Sequence, residues 1–373
     1  GVLHHRKSWS RDRLPNLKQH LDLFVLGTIA DVAPLTGENH ILSRHGLDVI
    51  RTTQKPGLVA LKSVAGVEGR LDARSIGFAL GPRLNAAGRL GKADSGLHLL
   101  TATDLQEALN LAREIDAVNR ERKEIQDWTL SEAEDRIERE VDLERDRVIV
   151  LASENFHAGV IGIAAARLVE KYFRPTVLIA LDGGKGKGSG RSIPRFNLHK
   201  AFQDCTDCLE QFGGHAYAAG CTLRESQVEA FRQRMNEVGH RILAEDDLVP
   251  ELRIDGDMDL GRIDRDLYRH LQLLEPYGAQ NPHPVFCARN VRIQGLRFMG
   301  KSQNHVRFQA IQDTGRLEAV GFGMAELFES VIPDEDRVDL AFEIQRNTWN
   351  GRDKIELRLL DLRKSGEGVS GPA

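Results

Sequence analysis

The chain has 373 residues, of which 41% are hydrophobic and 28% are charged, and its formal net charge is −4. This length suits two or three domains of roughly 100 to 200 residues each. No apolar run approaches the roughly 18 residues that a membrane-spanning helix needs, so the composition excludes a membrane protein. Four scattered cysteines and an amino terminus unlike a signal peptide exclude a secreted disulfide-rich domain, and a cytoplasmic location is expected.

Two stretches of this mildly acidic chain are locally basic. Residues 183–203 contain five basic residues and no acid, and residues 1–20 contain five basic residues and one acid. A nucleic-acid partner of an acidic protein has to be held by local patches of this kind. Chance produces one such stretch more readily than two.

The first predicted element is the apolar segment "LGTIADVAPL" at residues 26–35, which carries one acid, Asp31. A buried, unpaired carboxylate costs several kcal/mol, so we expect Asp31 either to cap local backbone or to pair with a cation. A cap of the turn before Pro34 is the usual role of a single Asp, and a divalent metal is the alternative. One carboxylate cannot form a metal site by itself, and the only candidate ligands near it in the sequence are His4 and His5.

The stretch "GPRLNAAGR", residues 81–89, contains a Gly-Pro pair that predicts a loop. Its Arg83, Asn85 and Arg89 could follow a phosphate backbone, or they could pair with surface carboxylates. Further along, Thr103 and Gln106 form a capping-box pattern that opens the longest predicted helix. This highly charged helix is expected to connect two lobes.

The pattern then changes to βαβ. The stretches "RVIVLAS" and "PTVLIAL" predict buried strands on either side of the helix "AGVIGIAAARLVEKYF", which indicates a mostly parallel sheet. His157 precedes that helix, where it could cap the backbone, contact an anion or pack.

Two glycine-rich stretches follow. In "DGGKGKGSGRS" the glycines could form a loop whose N–H groups and Arg191 hold a phosphate, but an exposed hairpin fits equally well. In "FGGHAYAAG" two glycines let the backbone approach a ligand and His215 could donate to a phosphate or a base edge, whereas a tight turn with a structural histidine is the alternative. The "CTDC" pair between them lacks the further ligands of a zinc site, so its cysteines are interpreted as thiols.

From about Leu252 the chain consists of five short, partly alternating strands, which predict a small barrel of the OB type. The predicted fold class is therefore α/β, followed by a β-rich OB-like domain. The closing residues 364–373 predict a disordered tail.

In this order, "LGTIADVAPL", "LGPRLNAAGR", the long helix, "FHAGVIGI", "GSGRS", "FGGHAYAAG" and the OB-like region resemble RecJ, the single-stranded-DNA-specific exonuclease family of the DHH phosphoesterase superfamily. The resemblance runs from Leu21 to Leu362. It implies the end of a DHH catalytic domain at 1–102, a connecting helix at 103–145, a DHH-associated domain at 146–246 and an OB-like single-strand-binding domain at 247–363.

The resemblance also implies roles for particular residues. Asp31 would be a catalytic residue that binds magnesium or manganese in a two-metal site. Nine further residues would contact single-stranded DNA, namely Arg83, Asn85, Arg89, His157, Ser189, Arg191, Gly213, Gly214 and His215. In the OB-like region, residue type makes Phe308 and Trp349 candidates for base stacking, and Arg307, Arg346 and Lys354 candidates for phosphate contacts, although the barrel core suits Phe308 better.

The implied function is metal-dependent 5′-to-3′ hydrolysis of single-stranded DNA in recombination and repair, with a helicase and a single-strand-binding protein as expected partners. The family's other metal ligands precede the segment that contains Asp31, and they are absent from this sequence. The chain is therefore interpreted as an amino-terminally truncated RecJ that is inactive alone. Two alternatives stay open: a non-catalytic single-stranded-DNA-binding relative, and a small-substrate DHH phosphodiesterase, which the OB-like region disfavours.

Overall fold

The computed structural model describes residues 16–67, 71–90, 94–349 and 352–366. The described residues form two compact units: the α/β unit, within residues 50–251, and the barrel unit, which joins the described residues up to 49 to those from 252 onward. None of the described helices is long and apolar enough to cross a membrane.

A 3₁₀ turn (Leu17–His20) opens the described chain, and helices α1 (Leu21–Ala30) and α2 (Gly37–Thr52) follow it. They approach closely at Gly46, where a Cβ would lie 2.6 Å from the carbonyl oxygen of Leu21. Leu35 N–H donates to the carbonyl of Ala279 at 2.7 Å, and so joins the segment between these helices to the loop that precedes the barrel.

The α/β unit begins with helices, and these are α3 (Pro56–Ala65), a short turn (Ala73–Ser75), a π-helical turn (Ile76–Leu80), α4 (Gly81–Leu90), α5 (Asp94–Thr101) and α6 (Leu105–Glu140). The loop predicted at the Gly-Pro pair is wrong, because residues 73–90 form one unbroken helical stretch, and Pro82 directly follows the π-helical turn within it. The long helix is confirmed. Its cap is Asp104, whose carboxylate accepts from Glu107 N–H at 2.8 Å, one residue later than the predicted Thr103.

The sheet of the α/β unit has the strand order β1-β2-β3-β5-β4, with β1 and β2 parallel and the other pairs antiparallel. Only one of its four strand pairs is parallel, so the mostly parallel sheet predicted from the sequence is wrong. Its elements are β1 (Ile149–Ser153), α7 (Ile161–Tyr172), β2 (Thr176–Asp182), β3 (Lys185–Arg191), α8 (Leu198–Gln203), β4 (Gln211–Gly214), β5 (Ala218–Arg224) and α9 (Val228–Ile242). One face packs on α6 and α7, and the other on α8 and α9, so the sheet lies between two hydrophobic cores.

Strand β3 contradicts the phosphate-binding loop weighed for "DGGKGKGSGRS" and agrees with the hairpin that was the alternative, because β2 and β3 are antiparallel neighbours. Only Gly183 and Gly184, both at positive φ, form a turn, and β3 follows as the central strand. Its other glycines face the side of α8 and α9, where a Cβ on Gly188 would lie 2.5 Å from the Cys221 sulfur and one on Gly190 would lie 2.7 Å from Leu198 Cδ2. Close packing therefore requires these glycines, and the residues between them face the opposite side of the sheet.

The barrel unit confirms the predicted OB fold. Strands β7 (Phe286–Met299), β8 (His305–Gln312), β9 (Gly315–Gly321), β10 (Arg337–Trp349) and β11 (Arg352–Lys364) close into a barrel, because β10 pairs with both β11 and β7. A short β6 (Gly256–Asp257) and helix α10 (Arg265–Gln272) precede it. Phe308 is 2% exposed in the barrel core, so it packs and does not present a stacking surface.

Candidate nucleic-acid interface

The register of the α/β sheet brings two of the sequence motifs together on one face. Ser189 of β3 pairs with Gly220 of β5, and Gly220 pairs with Gly213 of β4. Directly paired residues share a face, so Ser189 lies beside a surface that has only glycine backbone. "GSGRS" and "FGGHAYAAG" therefore form one continuous open surface, although about 20 residues separate them in the chain.

The start of helix α7 lies against this face. A Cβ on Gly162 would stand 2.8 Å from Ser189 Oγ and 3.1 Å from Arg191 Nη2, so only glycine leaves both side chains in place. Val160, the cap residue, provides no side-chain acceptor for the first N–H groups of the helix. A helix amino terminus and an arginine together favour an anion.

Arg89 reaches the same region from α4. Its Nη1 donates to the carbonyl of Gly159 at 3.3 Å, and a Cβ on Gly159 would lie 2.5 Å from the carbonyl oxygen of Arg89. His157 is exposed, and its Nδ1 accepts the Gly159 N–H at 3.0 Å. The imidazole thus holds the backbone turn that contacts Arg89, which is the capping role weighed for this histidine.

Arg122 of α6 and Arg191 of β3 both lie within electrostatic range of Arg89. Burial, and then repulsion from Arg89, lower the pKa of Arg191 and also the pKa of Arg122 on α6. Within the described part of the chain, Arg89, Arg122 and Arg191 have no carboxylate at ion-pair distance. Arg122 instead donates to the side-chain oxygens of Asn119 (3.3 Å) and Gln126 (2.9 Å). Such a cluster of like charges favours a bound anion.

Arg122 was not among the sequence-based candidates. It is 7% exposed, and its neighbour Asn119 is 1% exposed, in the middle of a helix that otherwise shows charged residues to solvent. The signal in the sequence is the spacing of three polar residues, 119, 122 and 126, along one face of α6. From the sequence alone, this spacing cannot be distinguished from that of polar residues on a solvent-exposed helix face.

Arg83, unlike these arginines, has a carboxylate partner. Its Nε lies 2.9 Å from Asp116 of α6, and its Nη1 donates to the carbonyl of Ala79 at 2.7 Å. Its side chain is only 14% exposed, so it ties α4 to α6 and takes the ion-pair role that was the alternative. Asn85 is exposed on α4.

Gly213, Gly214 and His215 lie at the exposed end of edge strand β4. Gly214 has φ +135°, and a Cβ there would lie 2.5 Å from the carbonyl of Ala218, so the position requires glycine. His215 N–H donates to the same carbonyl at 2.8 Å and closes the hairpin to β5. The hairpin therefore presents backbone and the imidazole at the rim of the face.

Asp31 belongs to the barrel unit and is exposed, although its neighbours in the sequence are apolar. It follows the last residue of α1, and its backbone N–H donates to the carbonyl of Gly27 at 3.0 Å. Its carboxylate caps no backbone N–H among the described residues, because the helix ends there and the side chain points to solvent. The buried acid of this helix is Asp22, which is 1% exposed and accepts from Leu23 N–H.

A two-metal centre does not fit the described donor set. The described residues contain no group of three or more His, Cys, Asp or Glu side chains placed to hold a metal ion. His4 and His5 lie outside the described residues. Asp31 is thus the one predicted ligand that the structure places.

The barrel candidates for DNA contact have different surroundings. Arg307 Nε lies 2.6 Å from Glu318, and its Nη2 lies 3.7 Å from Glu356, so carboxylates already neutralise it. Arg346 and Lys354 are exposed. The side chain of Trp349 lies outside the described part of the structure.

The four cysteines are buried free thiols. Burial raises the pKa of Cys205 to about 12 and that of Cys221 to about 12, and it also raises the pKa of Cys208. Because the thiolate is the reactive form, these raised pKa values leave the groups protonated and inert at about pH 8.

We expect iodoacetamide at that pH to label no cysteine in the folded protein and all four in urea. Labelling of folded Cys205 at the rate of an unfolded cysteine would contradict this.

The contact at Gly162 gives a second prediction. In Gly162→Ala the new methyl group would displace Ser189 Oγ and Arg191 Nη2 without touching the sheet backbone. We expect affinity for single-stranded DNA to fall about tenfold, the worth of about one charge-assisted hydrogen bond, while the melting temperature stays unchanged. Fluorescence anisotropy and circular dichroism would measure the two quantities. Unchanged affinity would show that the two side chains do not bind DNA.

Comparison with known proteins defines the class first. Residues 145–240 match the family model of the DHHA1 domain, and residues 254–361 match that of the RecJ OB domain. The chain is therefore a protein of the DHH superfamily that carries an OB domain.

The similarity to individual relatives is more specific. The single-stranded-DNA-specific exonuclease RecJ of Bacillus subtilis (strain 168) is 36% identical over 92% of this chain and 44% of that protein. The RecJ protein of Escherichia coli (strain K12) is 34% identical over 94% of this chain and 63% of that protein. The crystal structure of RecJ from Thermus thermophilus in complex with Mg²⁺ superimposes with a TM-score of 0.83 at 31% identity, covering 97% of this chain and 54% of that one. The chain belongs to the RecJ family, and it spans between 44% and 63% of the length of the two curated relatives.

Proposed function

We propose that the protein is a metal-dependent, single-stranded-DNA-specific exonuclease and that this chain supplies the surface that grips the strand. One observation carries the proposal: Arg89, Ser189 and Arg191 converge on an open glycine-lined sheet face where no described carboxylate pairs with the two arginines. The relatives from Bacillus subtilis and Escherichia coli are named as single-stranded-DNA-specific exonucleases, which supports the same substrate.

Each part of this face has a physical role in the proposal. The Arg191 guanidinium and Ser189 Oγ would donate to the non-bridging oxygens of one phosphate, and Arg89 would add charge beside them. The backbone at Gly213 and Gly220 has no side chain, so a strand can approach within hydrogen-bond distance of it. Four further residues would line the path of the strand toward this face, namely Asn85, His157, Gly214 and His215. Arg83 would hold α4 in place.

Magnesium or manganese is the cofactor that we propose for the whole protein, because Thermus thermophilus RecJ structures contain each of these ions. Asp31 would be a ligand and a catalytic residue. The helicase and the single-strand-binding protein that the resemblance implies stay predictions.

The test compares binding and cleavage with the same oligonucleotide. Fluorescence anisotropy should show a 5′-phosphorylated single strand of about 20 nucleotides binding at least roughly tenfold more tightly than the matched duplex, with Kd rising steeply with salt. Equal affinity for strand and duplex would contradict the proposal. Cleavage of the strand in the presence of Mn²⁺, lost in Asp31→Ala, would support the catalytic role of Asp31.

One observation favours a second candidate for this chain. The described residues offer a single predicted metal ligand, so the chain could bind single strands without cleaving them. Tight binding of the strand with no cleavage in Mg²⁺ or Mn²⁺ would select this non-catalytic function.

A further inference from the structure

One aromatic side chain stands at the tip of the hairpin between β4 and β5. Tyr217 is 58% exposed, and among residues 145–240, all of which the structure describes, it is the one large hydrophobic side chain that is exposed. Its side chain has no hydrogen-bond partner and no ring contact among the described residues. Isolated exposed apolar residues are common on protein surfaces, so the position of Tyr217 decides what it can do.

The backbone of the hairpin tip is fixed at both of its residues. The carbonyl of Tyr217 accepts from Ser192 N–H at 3.1 Å, and the carbonyl of Ala216 accepts from Leu198 N–H at 2.9 Å. The ring is thus presented from a held backbone. An aromatic side chain has only two side-chain torsions, so little conformational entropy is lost when a ligand orders it.

The hairpin tip lies directly beside Arg191. Ala218, the residue after Tyr217, is paired with Arg191 across antiparallel strands, where the Cα atoms of paired residues are about 4.5–5.5 Å apart. The hydrogen bond between Ser192 and Tyr217 continues this pairing by one residue. A single strand whose phosphate contacts Arg191 therefore passes beside the Tyr217 ring.

The charges around the hairpin suit a polyanion. Residues 183–203 and 211–223 contain no Asp or Glu, and Glu210, which precedes the second stretch, lies 3.2 Å from Arg224. These two stretches therefore contribute no charge that repels a phosphate. The ring adds a flat apolar surface with a polar hydroxyl group at one end.

We propose that Tyr217 stacks on one base of the single strand whose phosphate Arg191 holds. This inference rests on the proposed function. Phosphate contacts fix the position of the nucleic acid, whereas an aromatic ring stacks on any base, because every base has a π-face. The bases of a duplex are paired and stacked on one another, so they are not available to the ring. Tyr217 is therefore a residue that makes this site selective for single strands over duplexes.

The experiment combines a change of Tyr217 with the removal of single bases. Fluorescence anisotropy measures Kd of the full chain for a 5′-phosphorylated single strand of about 20 nucleotides, and for strands in which one base at a time is replaced by an abasic site. We expect Tyr217→Ala to raise Kd for the intact strand about 5- to 100-fold, as alanine substitution of a base-stacking residue does. One abasic strand should show the same loss with the wild type and no further loss with Tyr217→Ala. Losses that add at every abasic position would overturn the proposal.

Two conservative changes separate stacking from other roles of this side chain. Tyr217→Phe and Tyr217→Trp keep a flat ring, so their Kd should stay within about twofold of the wild type. A loss in Tyr217→Phe as large as that in Tyr217→Ala would overturn stacking, because it would assign the binding to the hydroxyl group. The melting temperature of all three variants should equal that of the wild type, since the side chain is exposed.

The salt dependence gives an independent readout. The ring carries no charge, so the slope of log Kd against log salt should be the same in Tyr217→Ala and in the wild type. Arg191→Ala should instead lower the slope by about 0.7, the contribution of one phosphate contact on a single strand. A loss of slope in Tyr217→Ala would contradict the proposal, because it would show a disturbed phosphate contact.

The matched control is Trp128→Ala, which removes another exposed aromatic side chain of the same unit. Trp128 lies on α6 and is 49% exposed. Its removal should leave Kd for the single strand and the ratio of duplex Kd to single-strand Kd within about twofold of the wild type. In Tyr217→Ala this ratio should fall by the factor by which the single-strand Kd rises. Equal losses in the two variants would overturn the proposal, because they would show unspecific attraction to apolar surface.

The proposed function and the role of Tyr217 fail in different ways. If Arg191→Ala weakens binding and Tyr217→Ala leaves Kd unchanged for every strand, only the role of Tyr217 is overturned. If the wild type does not bind single strands, the proposed function fails.

Discussion

Replacing Arg191 by alanine is expected to raise the Kd for a 5′-phosphorylated single strand by about 10- to 100-fold. The guanidinium is partly buried, donates to Ser189 Oγ and to the carbonyl of Gly190, and has no carboxylate partner among the described residues. A hydrogen bond to a charged group contributes about 1.5–3 kcal/mol, which corresponds to that range of affinity. Fluorescence anisotropy at fixed salt measures it.

The control for this change is Arg167→Ala on helix α7. Arg167 is exposed and lies 2.9 Å from Glu170, so its removal changes the net charge equally without opening the sheet face. Its Kd should stay within about twofold of the wild type, as expected for an exposed charge that is already paired. Equal losses for the two variants would mean that Arg191 acts only through overall charge.

The change Gly57→Ala is expected to lower the free energy of unfolding of the α/β unit by about 2–3 kcal/mol. A Cβ at Gly57 would lie 1.9 Å from the carbonyl oxygen of Leu99, so α3 and α5 would have to separate. A backbone carbonyl cannot move aside as the end of a flexible side chain can. The clash at Gly57 is therefore the largest packing effect that we expect from adding a single methyl group. Urea unfolding followed by circular dichroism measures it.

Gly88→Ala provides the matched comparison within the same unit. Gly88 lies in helix α4, and nothing among the described residues stands within 4 Å of an added Cβ. Alanine there should stabilise the helix by about 0.5–1 kcal/mol, since glycine has the greater backbone entropy to lose. A similar loss of stability in both variants would contradict the packing explanation.

The contrast between the two glycine-rich regions and the barrel shows what the sequence could predict. The barrel strands alternate apolar and polar residues, and that period of two predicted the OB fold correctly. Strand β3 has the same period in "GKGKGSGR", but its inward positions are glycines, which give no apolar signal and have low strand propensity. The close approach of α8 that requires these glycines, at Leu198 for example, is a property of the folded chain.

The candidate site shows the same limit at the level of single side chains. The motifs indicated Ser189, Arg191 and Arg89 as candidates, yet sequence alone could not show that Arg83 is turned toward Asp116. Asp31 was expected to cap local backbone or to pair with a cation, whereas it lies exposed at the end of α1 and its carboxylate caps no backbone N–H among the described residues. Arg122 was not predicted, because its environment depends on Arg89. That arginine belongs to another helix, and the sequence does not show which face of α6 it approaches.

The two buried ends of helix α6 fix the number of residues that lie between them. Its 36 residues would span about 54 Å, and Ala108, Ala112 and Ile115 are buried near its start, whereas Ala133 and Ile137 pack on β1 and α7 near its end. A single residue inserted between Ile115 and Ala133 would turn one set of contacts by about 100° relative to the other. The exposed side chains of this segment are therefore free to vary, but the number of its residues is fixed by the phase of the helix.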